Sequence, residues 1–170
     1  MKNLICTRLS LRRMLAACVA SVAVVILLAQ TATAASWSGI EPLKSRRADV
    51  ERALGKPLVD QPGDEGILHF KVSGGMVTVT FVTAKFVRTK KLFPELEGTV
   101  LQIVLQHDNS SDTPESLGLQ NKPGFEREDG TGGSVYRNLR DGIAYTFIEG
   151  KLRTTRFSAT TDQLARARKG

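Results

Sequence analysis

The stretch G-I-E-P-L-K-S-R-R-A-D-V-E-R-A-L-G-K-P, Gly39 to Pro57, carries a helix start, an apolar stripe, a stop and a breaker in that order. Ser45 is the expected cap, its hydroxyl placed to accept from the free N–H groups of a helix over Arg46 to Leu54. Val50, Ala53 and Leu54 recur at i, i+3 and i+4, while Asp49, Glu51 and Arg52 fall outside that stripe. Gly55 suits the left-handed residue past the last turn, and Pro57 prevents resumption. So short a helix is marginal alone and needs a surface to cover. From Ile67 onward the chain alternates as strands do. The expected class is therefore α+β, with short helices packed on an antiparallel sheet.

Downstream, Asp60 to Gly66 is dense in turn residues and reads as a loop. Ile67 to Val72 and Met76 to Val82 flank Ser73-Gly74-Gly75 as a hairpin with a three-residue connection, with Val77, Val79 and Phe81 on its buried face. Lys85 to Lys91 interrupts the strand pattern with a basic run around Phe86 and Val87. Thr99 to Gln106 is a third strand, with Leu101, Ile103 and Leu105 on the core side. Thr113-Pro114-Glu115 opens a turn or two of helix that Gly118 ends.

Gly124 to Gly133 reads as irregular and flexible, and a meander of Ser134–Asn138, Ile143–Ile148 and Leu152–Ser158 closes the domain. Ile143, Tyr145 and Phe147 share its core face. Trp37 is the expected apolar plug at the N-terminal side. The organisation expected is one domain over 35–160 and a basic, flexible tail over 161–170. Helix, hairpin and strand followed by short helix, strand and hairpin suggest two tandem α/β halves, the second degenerate.

Residues 1–34 read as a signal peptide. Lys2, Arg8, Arg12 and Arg13 make a basic front, Met14 to Leu28 is apolar apart from Ser21, and Ala32-Thr33-Ala34 is an A-x-A processing pattern. Leu15-Ala16-Ala17-Cys18 has lipobox residues, but the apolar run lies after the cysteine instead of before it. The expected location is periplasmic or secreted, the alternative being an anchor formed by the uncleaved segment. Removing the segment takes four of 24 basic residues and none of 17 acidic ones, so the net charge falls from +7 to +3. That weakens any case for nucleic acid as partner. Cys6 and Cys18 leave with it, so the mature chain folds without disulfides.

Ser45, Val50, Leu54, Gly55 and Pro57 resemble the helix motif of outer-membrane assembly lipoproteins of the SmpA/BamE type, where a capping hydroxyl leads to Val and then L-G-x-P. The chain departs from that family in lacking its Gly-Met before the cap. The helix-plus-hairpin unit in tandem resembles the β-lactamase-inhibitor-protein-like fold. Trp37-x-Gly39-Ile40, Gly98-Thr99-Val100, Tyr136-x-Asn138 and Gly142-Ile143-x-Tyr145 resemble a family of uncharacterised exported proteins of acidobacterial type. That likeness implies a fold and an export route, and no activity.

Catalytic constellations are scarce. His69 and His107 are the two histidines and have no metal-ligand spacing, and neither G-x-S-x-G nor a phosphate-cradling loop opens a helix. The expected function is a non-catalytic, protein-binding or envelope-associated module, with no cofactor and no metal. The alternatives are a small hydrolase or metal-dependent enzyme using His107 with loop carboxylates Asp64, Glu65, Glu126, Glu128 and Asp129, and a membrane-anchored basic surface module. The expected contact for a protein or anionic envelope partner is Phe86, Arg88, Lys90, Lys91 and Phe93, where two phenylalanines bracket the cations. N-terminal sequencing of exported protein should find Ala35 or Ser36 first, whereas lipid on Cys18 would contradict the soluble form.

Overall fold

The computed structural model describes residues 35–58 and 66–168. The expected signal peptide and its cleavage site, residues 59–65 and the last two residues lie outside the described residues. Among the described residues no helix is long and apolar enough to cross a membrane.

The organising helix, α1 (Arg47–Leu54), begins one residue later than its pattern suggested. Ser45 does not cap it. Its hydroxyl instead accepts from the Glu41 N–H at 2.9 Å, and the helix start is closed by the Arg46 N–H donating to the Asp49 carboxylate at 2.9 Å. That backbone hydrogen bond holds the Asp49 carboxyl below its ordinary range, opposed by slight desolvation and helped by Arg52. Ser45 is unavailable as a cap because its backbone is already in a bridge. The Leu43 N–H donates to Val100 O at 2.6 Å, and the Val100 N–H donates to Ser45 O at 2.8 Å. Of the expected stripe, Val50 is fully buried and Leu54 half-buried, while Ala53 is exposed.

Seven strands form one sheet: β1 (Ile67–Val72), β2 (Gly75–Phe81), β3 (Val100–His107), β4 (Glu126–Gly130), β5 (Gly133–Asn138), β6 (Ile143–Ile148) and β7 (Lys151–Ser158). Their order across it is β1-β2-β3-β7-β6-β5-β4, and every neighbouring pair is antiparallel. The fold is thus α+β. The first hairpin turns through two residues, not three, because Gly75 is already in the ladder opposite Val72. A Cβ there would lie 1.9 Å from the Gln106 carbonyl oxygen, so the close approach of β3 requires glycine.

The register places Phe70, Val77 and Leu105 side by side, and likewise Leu68, Val79, Ile103 and Phe157. Val50 of α1 and Ile40 pack on these residues in the largest buried cluster, with Trp37 against its rim. The same sheet face continues through Tyr145 and Phe147 to Tyr136, where Leu119 and its neighbours close a second cluster. The expected core face of β6 is therefore correct. On β3 the pattern needs correction at Leu101. The β2–β3 register jumps between Thr80 and Phe81, and Leu101 joins a third cluster with Val82, Val87 and Leu92. A bulge of this kind reverses the alternation that a regular strand would keep.

Three other segments differ from expectation. The basic run is a helix, α2 (Ala84–Lys90), capped by the Thr83 hydroxyl accepting from the Phe86 N–H at 3.2 Å. Residues 126–130, expected as irregular, are the edge strand β4, exposed throughout, and the charges of E-R-E-D-G suit an edge facing water. The expected flexible tail is a helix, α3 (Thr161–Arg166), with a reciprocal capping box between Thr160 and Gln163. Leu164 and Ala167 pack in the third cluster, and the Phe93 N–H donates to Ala167 O at 2.9 Å. Thr113 to Gly118 forms a turn followed by a short 3-10 segment, Leu119–Asn121.

Because α1 holds to the sheet mainly through Val50, Val50→Ala should lower unfolding stability by about 2 kcal/mol. Leu54→Ala should cost less, since that side chain is only half-buried. Urea melts of both variants check this order. A wild-type midpoint for Val50→Ala would mean that the helix does not lie on the sheet.

Candidate binding face

Strand alternation gives the sheet two unlike faces. One carries the first two clusters. The other is built from His69, Thr78, Val104, Arg156, Ala144 and Arg137, which lie opposite one another in a row across six strands. A second row runs through Lys71, Met76, Gln106, Thr154, Thr146 and Val135. None of the apolar members, Met76, Val104, Ala144 and Val135, belongs to a buried cluster among the described residues. Mixed Thr, Gln, Val and Arg on an antiparallel sheet is the pattern of a face left to water or to a partner.

Toward β5, β6 and β7 the open face deepens into a pocket of about 220 Å³. Ala144 forms its floor, with Arg137 and Arg156 to either side and Thr146 beyond. Small Ala144 between two long side chains is what makes the depression. Gly142 borders it with φ +70, and an added Cβ would meet the Ser158 carbonyl oxygen at 2.1 Å, so the turn into β6 depends on glycine. A second cleft, of about 570 Å³, lies at the β1–β2 turn between Trp37, Leu54, Gly74 and His107.

The expected contact residues divide. Phe86 turns inward against the third cluster, beside buried Val87, so it is not an exposed anchor. Arg88, Lys90 and Lys91 are exposed at the C-terminal end of α2, with Lys91 in the left-handed cap position at φ 53. Cations there complement the helix dipole, so folding needs explain the basic run that looked anomalous in sequence. Phe93 is 39% exposed.

The residues of the enzyme alternative are not brought together. The His107 ring Nε2 is 3.0 Å from the Thr155 hydroxyl on the covered face. Glu126 and Glu128 lie on the edge strand β4, with β7, β6 and β5 between it and β3. Asp129 pairs with Arg127, and Asp64 and Glu65 lie outside the described residues. His69 meets the Thr78 hydroxyl at 3.0 Å across the first hairpin. Among the described residues no group of three His, Cys, Asp or Glu side chains could hold a metal ion.

Sequence reasoning passed over Arg137, Ala144 and Arg156. The signal was present: assigning Ile143, Tyr145 and Phe147 to the core sends Ala144 and Thr146 to the opposite face. Cross-strand register, which single strands do not carry, was needed to set the two arginines beside Ala144.

No protein-family model matches the chain, and no curated protein does. Among solved structures the chain is similar to a DUF4309 family protein, YjgB, from Bacillus subtilis, with 16% identity and a TM-score of 0.48 over 72% of this chain and 83% of that one.

Proposed function

We propose that the chain is exported and acts in the periplasm or outside the cell as a non-catalytic binding module that docks an anionic envelope partner on its open sheet face. The observation that supports this is the asymmetry of the sheet. Helix α1 and the 108–125 segment bury one face, while the other sets Arg156, Lys71 (paired with Asp108) and Arg137 (paired with Glu128) among Thr, Gln and Val side chains. Cations set in a broad, mostly neutral surface provide charge complementarity without a general polyanion-binding field. In the same reading the sheet derives from two fused units, β1–β3 under α1 and β4–β7 under a degenerate helical layer, as in the β-lactamase-inhibitor-protein-like fold. What supports that origin is that α1 covers a cluster drawn mainly from β1–β3, joined by Phe157 of β7 and Ile143 of β6, while Leu119 covers one drawn from β5–β7.

A photo-crosslinking residue placed at Val104, in the middle of the open face, tests the docking surface. The full chain carrying it should form adducts with isolated envelopes at low ionic strength, and fewer at high salt. The same residue at Ala48, exposed on α1 and lining neither cleft, should give few. Equal adducts at the two positions, or none at Val104, would contradict docking on this face.

A further inference from the structure

We propose that the pocket over Ala144 is a binding site for a phosphate monoester group, gripped from opposite sides by Arg137 and Arg156; this rests on the open face being the docking surface. The register carries the geometry. Arg156 on β7 lies opposite Ala144 on β6, and Ala144 lies opposite Arg137 on β5. Adjacent strands are about 4.8 Å apart, so the two arginine backbones flank the alanine at about 10 Å and on the same face. That separation places a small anion within reach of both guanidinium groups.

Charge in the pocket is incompletely balanced. Arg137 pairs through Nη2 with the Glu128 carboxylate at 2.5 Å, both side chains being largely exposed. The Arg156 side chain makes no hydrogen bond or ion pair among the described residues. Glu126 also lies opposite Arg137 on β4, but neither it nor Glu128 lines the pocket, whereas both arginines do, and the Thr146 hydroxyl on the same face adds a neutral donor. A carboxylate is planar and singly charged, so between two facing guanidinium forks it neutralises only half of the charge they present. A tetrahedral dianion presents oxygens in several directions and can accept from forks on two sides at once. The pocket volume of about 220 Å³ leaves room for such a group and a small ester substituent.

Calorimetric titration of the full chain with inorganic phosphate, glycerol 3-phosphate and acetate tests the site. Saturable binding of the two phosphates, with acetate at least tenfold weaker, is expected. Arg156→Gln and Arg137→Gln should each weaken phosphate binding at least tenfold without shifting the melting temperature. Glu128→Gln should strengthen it by releasing Arg137. Arg88→Gln, which removes an equal charge on α2, should leave it unchanged. Absence of saturable phosphate binding, or an equal loss in Arg88→Gln, would overturn the site.

Phosphatidic acid vesicles separate the two sources of the group. Sedimentation with vesicles that free phosphate reverses would assign a lipid headgroup, and glycerol 3-phosphate binding without sedimentation would assign a soluble ester. If phosphate fails while Val104 still crosslinks, the pocket assignment falls alone. If both fail, the docking reading falls with it.

Discussion

The structure depends on a short backbone stitch between two segments far apart in sequence. Val100, at the start of β3, accepts from the Leu43 N–H and donates to Ser45 O, so the chain entering α1 is tied to the sheet before the helix begins. Arg46 reinforces the tie from its side chain, donating to Glu97 O at 3.0 Å and Glu95 O at 2.7 Å. With its entry fixed in this way, the eight-residue helix has little choice of position, and Val50 falls on the β1–β3 face. A helix of that length would not hold its shape in water. Here the sheet supplies the template, and the helix supplies the apolar cover that one sheet face requires.

Covering one face leaves the other defined by default. The period of two along each strand forces every residue that does not enter the clusters under α1 and the 3-10 layer to the opposite side. In this chain those residues are chiefly Thr, Gln, Val and Arg, with small Ala144 where β6 passes between two arginines. At one end of the sheet α2 and α3 form the third cluster around Leu92, and the open face stretches away from it. The edges differ from this surface. The edge strand β4 is short and charged along its length, and the β1 edge is partly occupied where the Leu58 N–H donates to His69 O at 2.7 Å. For the docking role proposed above, a broad face with guarded edges is better suited than strand addition.

Local signals in the sequence carried much of this. Gly55 and Pro57 ended α1 where expected, and the expected strands Ile143–Ile148 and Leu152–Ser158 match β6 and all but the first residue of β7. These are one- or two-residue constraints, and they act whatever surrounds them. The expectations that failed involved partners distant in sequence. Ser45 has the chemistry of a cap, but its neighbours are committed to β3. The run from Lys85 to Lys91 lacks helical periodicity over so short a length, and only the Leu92 cluster makes it a helix. Residues 161–170 read as a flexible tail because Leu164 has no visible partner until Leu92 is folded beside it. The arginine pair was illegible for the same reason, since register belongs to the pairing of strands and not to any one of them.

The central claim is that one sheet face is buried and the other open, and adjacent residues on single strands test it most directly. Carbene footprinting of the full chain should label Val104 well above Ile103, Met76 above Val77, and Ile148 above Phe147. Within these pairs the relative exposures are already set in part: Ile103 and Val77 are fully buried, and Phe147 is 1% exposed against 44% for Ile148. That alternation on three strands is the result the account predicts. Equal protection of Val104 and Ile103, with Met76 as shielded as Val77, would show a second layer over the face and contradict it.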